Sequence, residues 1–248
     1  MVIQKAALLD RQAGSDTMSA LLTLENVGMH FGVRADHTGG IHTVFEGINL
    51  ELHEGERLGV VGRNGAGKST LLKIMAKIYV PASGRVLWAP GVSVSLLSLG
   101  LGFSDELTGR DNAYLAGLLQ GFSKSDARAN LEDIQEFCEI GDFFDEPVRT
   151  YSAGMRARLG FATALLNSAG ILLIDEILSV GDHEFRRRAR AALENKLSDG
   201  RAAVLVSHAE MAIKNICTRA ILLEGEGILT AGTPAEVLAA YAEASAAG

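Results

Sequence analysis

The chain has 248 residues, 48% hydrophobic, 21% charged and only 6% aromatic, which is enough apolar material for one or at most two packed units and excludes a disordered chain. A formal net charge of −7 at pH 7 excludes the basic balance of a typical nucleic-acid binder, so no nucleic-acid partner is expected. Two cysteines, Cys138 and Cys217, stand far apart and outside any CxxC pattern, which excludes a disulfide framework or a cysteine zinc site and points to a reducing compartment.

Residues 1–16 are too polar for a secretory apolar segment, and residues 1–20 are expected to form a loose extension. Residues 22–27 and 44–52 read as strands joined by the polar, glycine-bearing stretch 32–43, which makes an antiparallel β layer. The short apolar run 57–61 ends at a glycine, and residues 69–79 follow with helical spacing of Leu71, Leu72, Met75 and Ile78. From 105 to 138 the pattern is mostly helical, with Leu115, Leu118 and Leu119 on one face and a cap-like Ser123 and Asp126 opening a further helix. A helical subdomain is therefore expected at about 105–151. A helix after Ser152 leads to the apolar run 171–174, and more helix leads to 202–206; both runs suit central parallel strands. A turn-rich segment at 225–233 precedes a short helix at 234–241, and residues 242–248 are expected to fray as a tail.

The longest apolar candidate for a membrane span, 161–174, is broken by Asn167, Ser168 and Gly170 and falls short of the ~18 residues a spanning helix needs. If a membrane is involved, another chain spans it. The cluster Arg186, Arg187, Arg188 and Arg190 lies beside Glu184 and Glu194 in a predicted helix and reads as a solvated face.

Four motifs carry chemistry. Residues 62–70, GRNGAGKST, fit G-x-x-x-x-G-K-[ST] between a predicted strand and helix. Gly62, Asn64, Gly65, Ala66, Gly67 and Thr70 belong to a loop whose backbone N–H groups turn toward phosphates. Lys68 reaches the outer phosphates and the Ser69 hydroxyl suits Mg²⁺. At average composition this pattern arises by chance on the order of once in a hundred chains of this length. Asp175 and Glu176 end the apolar run 171–174, at the strand edge where α/β sheets bind ligands. Asp175 is assigned to Mg²⁺ and Glu176 to the attacking water. His208 emerges two residues after the run 202–206, at the same edge, within reach of a γ-phosphate; alone, it would read as a surface or core histidine. Finally, Ser152 and Gly154 in YSAGMRARLGFATA precede a helical pattern, either as an ordinary helix cap or as an anion-binding helix N-terminus.

Taken in order, these motifs resemble the nucleotide-binding domains of ABC ATPases, over residues 21–241. The resemblance implies an α/β fold: a P-loop NTPase core with an N-terminal antiparallel β layer and an inserted helical subdomain. It also implies ATP and Mg²⁺ as ligands, Lys68, Glu176 and His208 as catalytic residues, and Phe31 stacked on adenine. Residues 179–182, SVGD, match the D-loop. Ser152 and Gly154 would complete the ATP site across a homodimer or heterodimer, a second copy of the chain being the expected partner.

The signature reads SAGMR rather than the family's commonest LSGGQ, keeping Ser152 and Gly154 with Ala153 and Met155 at the other positions; Gly181 stands in the D-loop where alanine or leucine is usual, and Ser98 occupies the approximate place of the usual Q-loop glutamine. Together with LLSLGLGF and ELTGRDN, these departures resemble the ATPases of polysaccharide exporters for O-antigen, capsular and teichoic-acid chains. That resemblance implies a motor subunit at the cytoplasmic face of a bacterial inner membrane, a separate multi-helix permease partner, and a lipid-linked glycan as cargo. Some O-antigen exporters add a C-terminal carbohydrate-binding domain; the sequence ends soon after Tyr241, so recognition of a glycan end by this chain is not expected. The alternatives are an exporter ATPase for another lipid or drug, a soluble ABC ATPase in DNA repair or translation, and a non-hydrolysing regulator. Intact Lys68, Asp175, Glu176 and His208 oppose the last.

Overall fold

The computed structural model describes residues 20–33, 40–97, 102–167, 170–175, 182–198, 200–207, 209–225 and 227–246. Strands β1 (Ala20–Val33) and β2 (Gly40–His53) form an antiparallel pair, and β4 (Ser83–Trp88) joins the other edge of β1. A second sheet has the order β5-β6-β7-β3-β8-β9. Its strands are β3 (Arg57–Val61), β5 (Val94–Leu97), β6 (Ile171–Asp175), β7 (Ala203–Val206), β8 (Arg219–Glu224) and β9 (Gly227–Gly232). All its neighbours run parallel except β8 and β9, which form an antiparallel pair.

The strand alternation sorts the parallel sheet into two faces. Leu172, Ile174, Ala203, Leu205, Ala220 and Leu222 pack into one core with Phe161 of α4 (Ala153–Leu166) and Phe185 of α5 (His183–Ser198). Ile171, Leu173, Val204, Val206, Ile221 and Leu223 pack into the other, with Leu71, Leu72 and Met75 of α1 (Lys68–Met75) and the antiparallel sheet. Both faces of the central strands are thus covered, which is why their sequences are unbroken apolar runs. A third core, with Ile134, Cys138, Phe144 and Tyr151, belongs to the helical segment of α2 (Gly109–Leu119), α3 (Lys124–Cys138) and two short 3₁₀ turns at Gly141–Asp145 and Val148–Thr150. Two more helices, α6 (Glu210–Ile216) and α7 (Pro234–Ala246), complete the chain.

Several expectations change. Helix α1 ends at Met75, before the expected 79, because Lys77 takes a left-handed backbone (φ 62°). The leucine face expected of α2 points outward: Leu115 and Leu119 are exposed, and the helix packs through Asn112, Ala113 and Gly117. A side chain at Gly117 would approach the Ala127 Cβ at 3.1 Å, so close helix packing demands a small residue there. The turn-rich segment contains a strand, β9. Helix α7 runs to Ala246, past the point where fraying was expected. The arginine cluster on α5 is solvated at Arg186, Arg187 and Arg190, but Arg188 is half-buried: it donates to the Phe137 carbonyl (2.7 Å), lies over the Phe137 and Phe185 rings and pairs with Glu139. Among the described residues, no helix is long and apolar enough to cross a membrane.

Candidate functional site

Strand β3 lies in the middle of the parallel sheet, between β7 and β8, and its C-terminal end opens into the loop at 62–67. A side chain at Gly62 would overlap the Leu223 carbonyl oxygen, so the loop can leave the sheet there only on glycine. Gly67 has a left-handed backbone (φ 89°), and a Cβ on it would come within 2.6 Å of Val44 and 2.8 Å of Phe45. The loop is therefore pressed between both sheets. Ala66 closes a turn by donating its N–H to the Arg63 carbonyl (3.2 Å), while Asn64 and Gly65 face outward. Lys68 begins α1 and is 7% exposed; its ammonium donates to the carbonyls of Gly62 (2.7 Å) and Arg63 (2.9 Å), which folds the side chain back along the loop.

A cleft of about 360 Å³ opens over this loop. Of the residues singled out from sequence, Phe31, Asn64, Gly65, Gly67, Lys68, Ser69, Thr70 and Asp175 line it; Gly62 and Ala66 shape the loop beneath. Asp175 ends β6 directly beside Val206 of β7, which also lines the cleft. Phe31 is braced edge-on by Tyr79, with ring centroids 6.0 Å apart. Ser152 and Gly154 are not part of this cleft. Ser152 caps α4, accepting from the Met155 N–H (3.2 Å), and Gly154 is exposed beside it. The cap reading of Ser152 therefore describes its contacts within one chain. Glu176, His208, Ser98 and residues 179–181 lie outside the described residues. Asp182 caps α5 by accepting from the Phe185 N–H (2.9 Å), which, with a smaller contribution from its pairing with Arg158 of α4, holds its carboxyl below the usual range.

His42 and Val44 also line the cleft, and the sequence reading missed both. His42 is the cross-strand partner of Phe31, and Val44 lies two residues on, on the same strand face. The register that brings them there depends on how β1 and β2 pair across the 34–39 connection, which alternation alone does not fix.

The residues present fit a magnesium nucleotide. The loop leaves open space at Gly65, the cleft lies in the size range of small-molecule sites, and its lining includes two residues with hard oxygen donors, Ser69 and Asp175. Among the described residues there is no cluster of three or more His, Cys, Asp or Glu that could hold a metal ion.

Residues 45–179 match the ABC transporter family. The chain belongs to that family. An O-antigen export system ATP-binding protein of Klebsiella pneumoniae is 37% identical over 208 residues, covering 84% of each chain. One of Myxococcus xanthus is 41% identical, over 86% of this chain but 48% of that protein. A teichoic acids export ATP-binding protein of Shouchella clausii is 37% identical, over 78% of this chain and 53% of that protein. The chain thus spans about half the length of two of these three relatives. Among solved structures, the ABC fold is matched by a dimeric, post-hydrolysis ATP-binding cassette bound to ADP and phosphate, with a TM-score of 0.71 and 21% identity over 86% of this chain and 98% of that one.

Proposed function

We propose that this chain is the ATP-hydrolysing motor of an ABC exporter that moves a lipid-linked polysaccharide across a bacterial inner membrane. The observation that carries the ATPase reading is the single cleft joining the loop at 62–70, Asp175 and the braced ring of Phe31: phosphate cradle, metal ligands and base platform in one place. The cargo reading is supported by the names of the relatives, which specify O-antigen and teichoic acid export, together with the ELTGRDN and YSAGM segments.

In this reading Phe31 stacks on adenine, the loop amides and the Lys68 ammonium bind the phosphates, and Ser69 and Asp175 hold Mg²⁺. The ion would supply charge neutralisation on the phosphate oxygens. Glu176 orients a water whose oxygen attacks the γ-phosphorus; the bond to the β–γ bridging oxygen breaks, and the water's proton passes to solvent by way of that carboxylate. His208 steadies the γ-phosphate. Ser152 and Gly154 of a second copy close over the same nucleotide with the N-terminus of α4, an anion-binding helix end. ATP would thereby draw two copies together at the cytoplasmic face of the membrane and move a separate permease.

The test is to tag the Glu176→Gln variant, solubilise host membranes gently with ATP and Mg²⁺, and identify what copurifies. A multi-helix membrane protein with bound lipid-linked sugar is the expected result. A membrane protein with another lipid or a drug would remove the glycan assignment, and soluble or nucleic-acid partners alone would remove the transporter.

A further inference from the structure

Tyr151, the residue before Ser152, is clamped from three sides. Its hydroxyl donates to the Phe143 carbonyl (2.5 Å), and burial pushes the phenol up to about 12, so it keeps that proton across the neutral range. A side chain at Gly109, the first residue of α2, would overlap the Tyr151 hydroxyl oxygen; it would also stand 3.0 Å from the Phe144 carbonyl and 3.3 Å from Leu159 of α4. Gly109 is not among the glycines with a left-handed backbone, so space, and not conformation, demands glycine there. The start of α2, the 3₁₀ turn at Gly141–Asp145 and the first turns of α4 thus meet at one point.

The residues around Gly109 fix that point. Thr108 caps α2 by accepting from the Asp111 N–H (3.0 Å). Arg110 grips Asp145 with two hydrogen bonds (2.6 and 3.1 Å) while lying over the Phe144 ring. Asn112, 3% exposed, accepts from the Ser104 N–H (2.8 Å) and donates to the carbonyls of Ser104 (3.0 Å) and Thr108 (2.9 Å). These bonds tie the N-terminus of α2 to the 3₁₀ turn at Gly141–Asp145 and to the segment before it, and none of these residues lines the nucleotide cleft.

We propose that Gly109 and Tyr151 are positioning residues that set Ser152 and the N-terminus of α4 for the nucleotide bound by a second copy of the chain. The proposal rests on the two-copy reading given above. Ser152 follows Tyr151 directly, so a displaced ring carries the Ser152 backbone with it, and a helix N-terminus acts on an anion only over the first turn.

The experiment uses the full chain carrying Glu176→Gln. Two quantities are read: ATP-driven dimerisation by sedimentation, and the affinity of the lone subunit for a fluorescent ATP analogue. Adding Gly109→Ala is expected to weaken dimerisation by roughly 10- to 100-fold, the scale on which small misplacements act, with lone-subunit affinity unchanged. Adding Tyr151→Phe to Gly109→Ala removes the overlapping oxygen and is expected to recover most of the dimerisation. Undiminished dimerisation with Gly109→Ala overturns the proposal. So does a parallel loss of lone-subunit affinity that Tyr151→Phe fails to rescue, which would mark general unfolding. A parent Glu176→Gln chain that never dimerises with ATP defeats the two-copy reading itself and this proposal with it.

Discussion

The carbonyl oxygen of Leu223, in β8, occupies the space into which any side chain at Gly62 would project. Gly62→Ala must therefore move either the loop or the sheet, at a cost of about 1–3 kcal/mol for overpacking a filled site. The expected outcome is a lower denaturation midpoint together with loss of nucleotide binding. A variant with unchanged midpoint and affinity would show that the loop yields freely there.

Phe31 is 39% exposed and braced by Tyr79, an arrangement that leaves ring surface available to a base. Phe31→Ala should weaken ATP binding by the ~1–3 kcal/mol typical of base–aromatic stacking, whereas Phe31→Tyr should leave it nearly intact. Equilibrium titration with a fluorescent ATP analogue distinguishes the two, and equal affinities for all three chains would remove Phe31 from the base site.

Asp175 shares the cleft with Ser69. Asp175→Asn keeps the shape and removes the negative charge, so nucleotide affinity in excess EDTA should match wild type while the gain on adding Mg²⁺ disappears. A full Mg²⁺-dependent gain in that variant would take the metal away from Asp175.

Arg110 holds the Asp145 carboxyl below its usual range, first through the side-chain hydrogen bond. A carboxylate whose folded pKa is depressed contributes stability above its unfolded pKa, and loses it as pH falls through the folded value. Asp145→Asn should therefore lower the thermal midpoint at pH 7, and the difference from wild type should shrink as pH drops below about 4, near the unfolded value for Asp. A difference that stays constant from pH 7 to pH 3 would assign the effect to packing.

Much of this architecture was legible in the sequence. The runs at 57–61, 171–174 and 202–206 are unbroken because both faces of the sheet are covered, and the loop at 62–70 carries its own punctuation in Gly62, Gly65 and Gly67. What escaped depended on partners distant in the chain. Strand β9 is short, half-exposed and rich in glycine, and it exists by pairing with β8. The leucines of α2 suggested a buried face, but Gly117 and Ala113 allow closer packing against α3 and α4 than leucine would, and the helix turned its small side inward. His42 carries no local signal at all; only the β1–β2 register brings it beside Phe31.

Cys138 and Cys217 are both buried, and burial pushes their thiols up to about 11 and about 12. Neither is a thiolate at neutral pH, so both should be nearly inert to alkylating dyes. These are the two cysteines of the sequence, so little background labelling of thiols is expected. One cysteine introduced at a site such as Leu119, 86% exposed on α2, would then be the sole reactive handle. A dye attached there would report on the surroundings of α2, and any change in them when nucleotide is added, without first stripping the protein of its native sulfur.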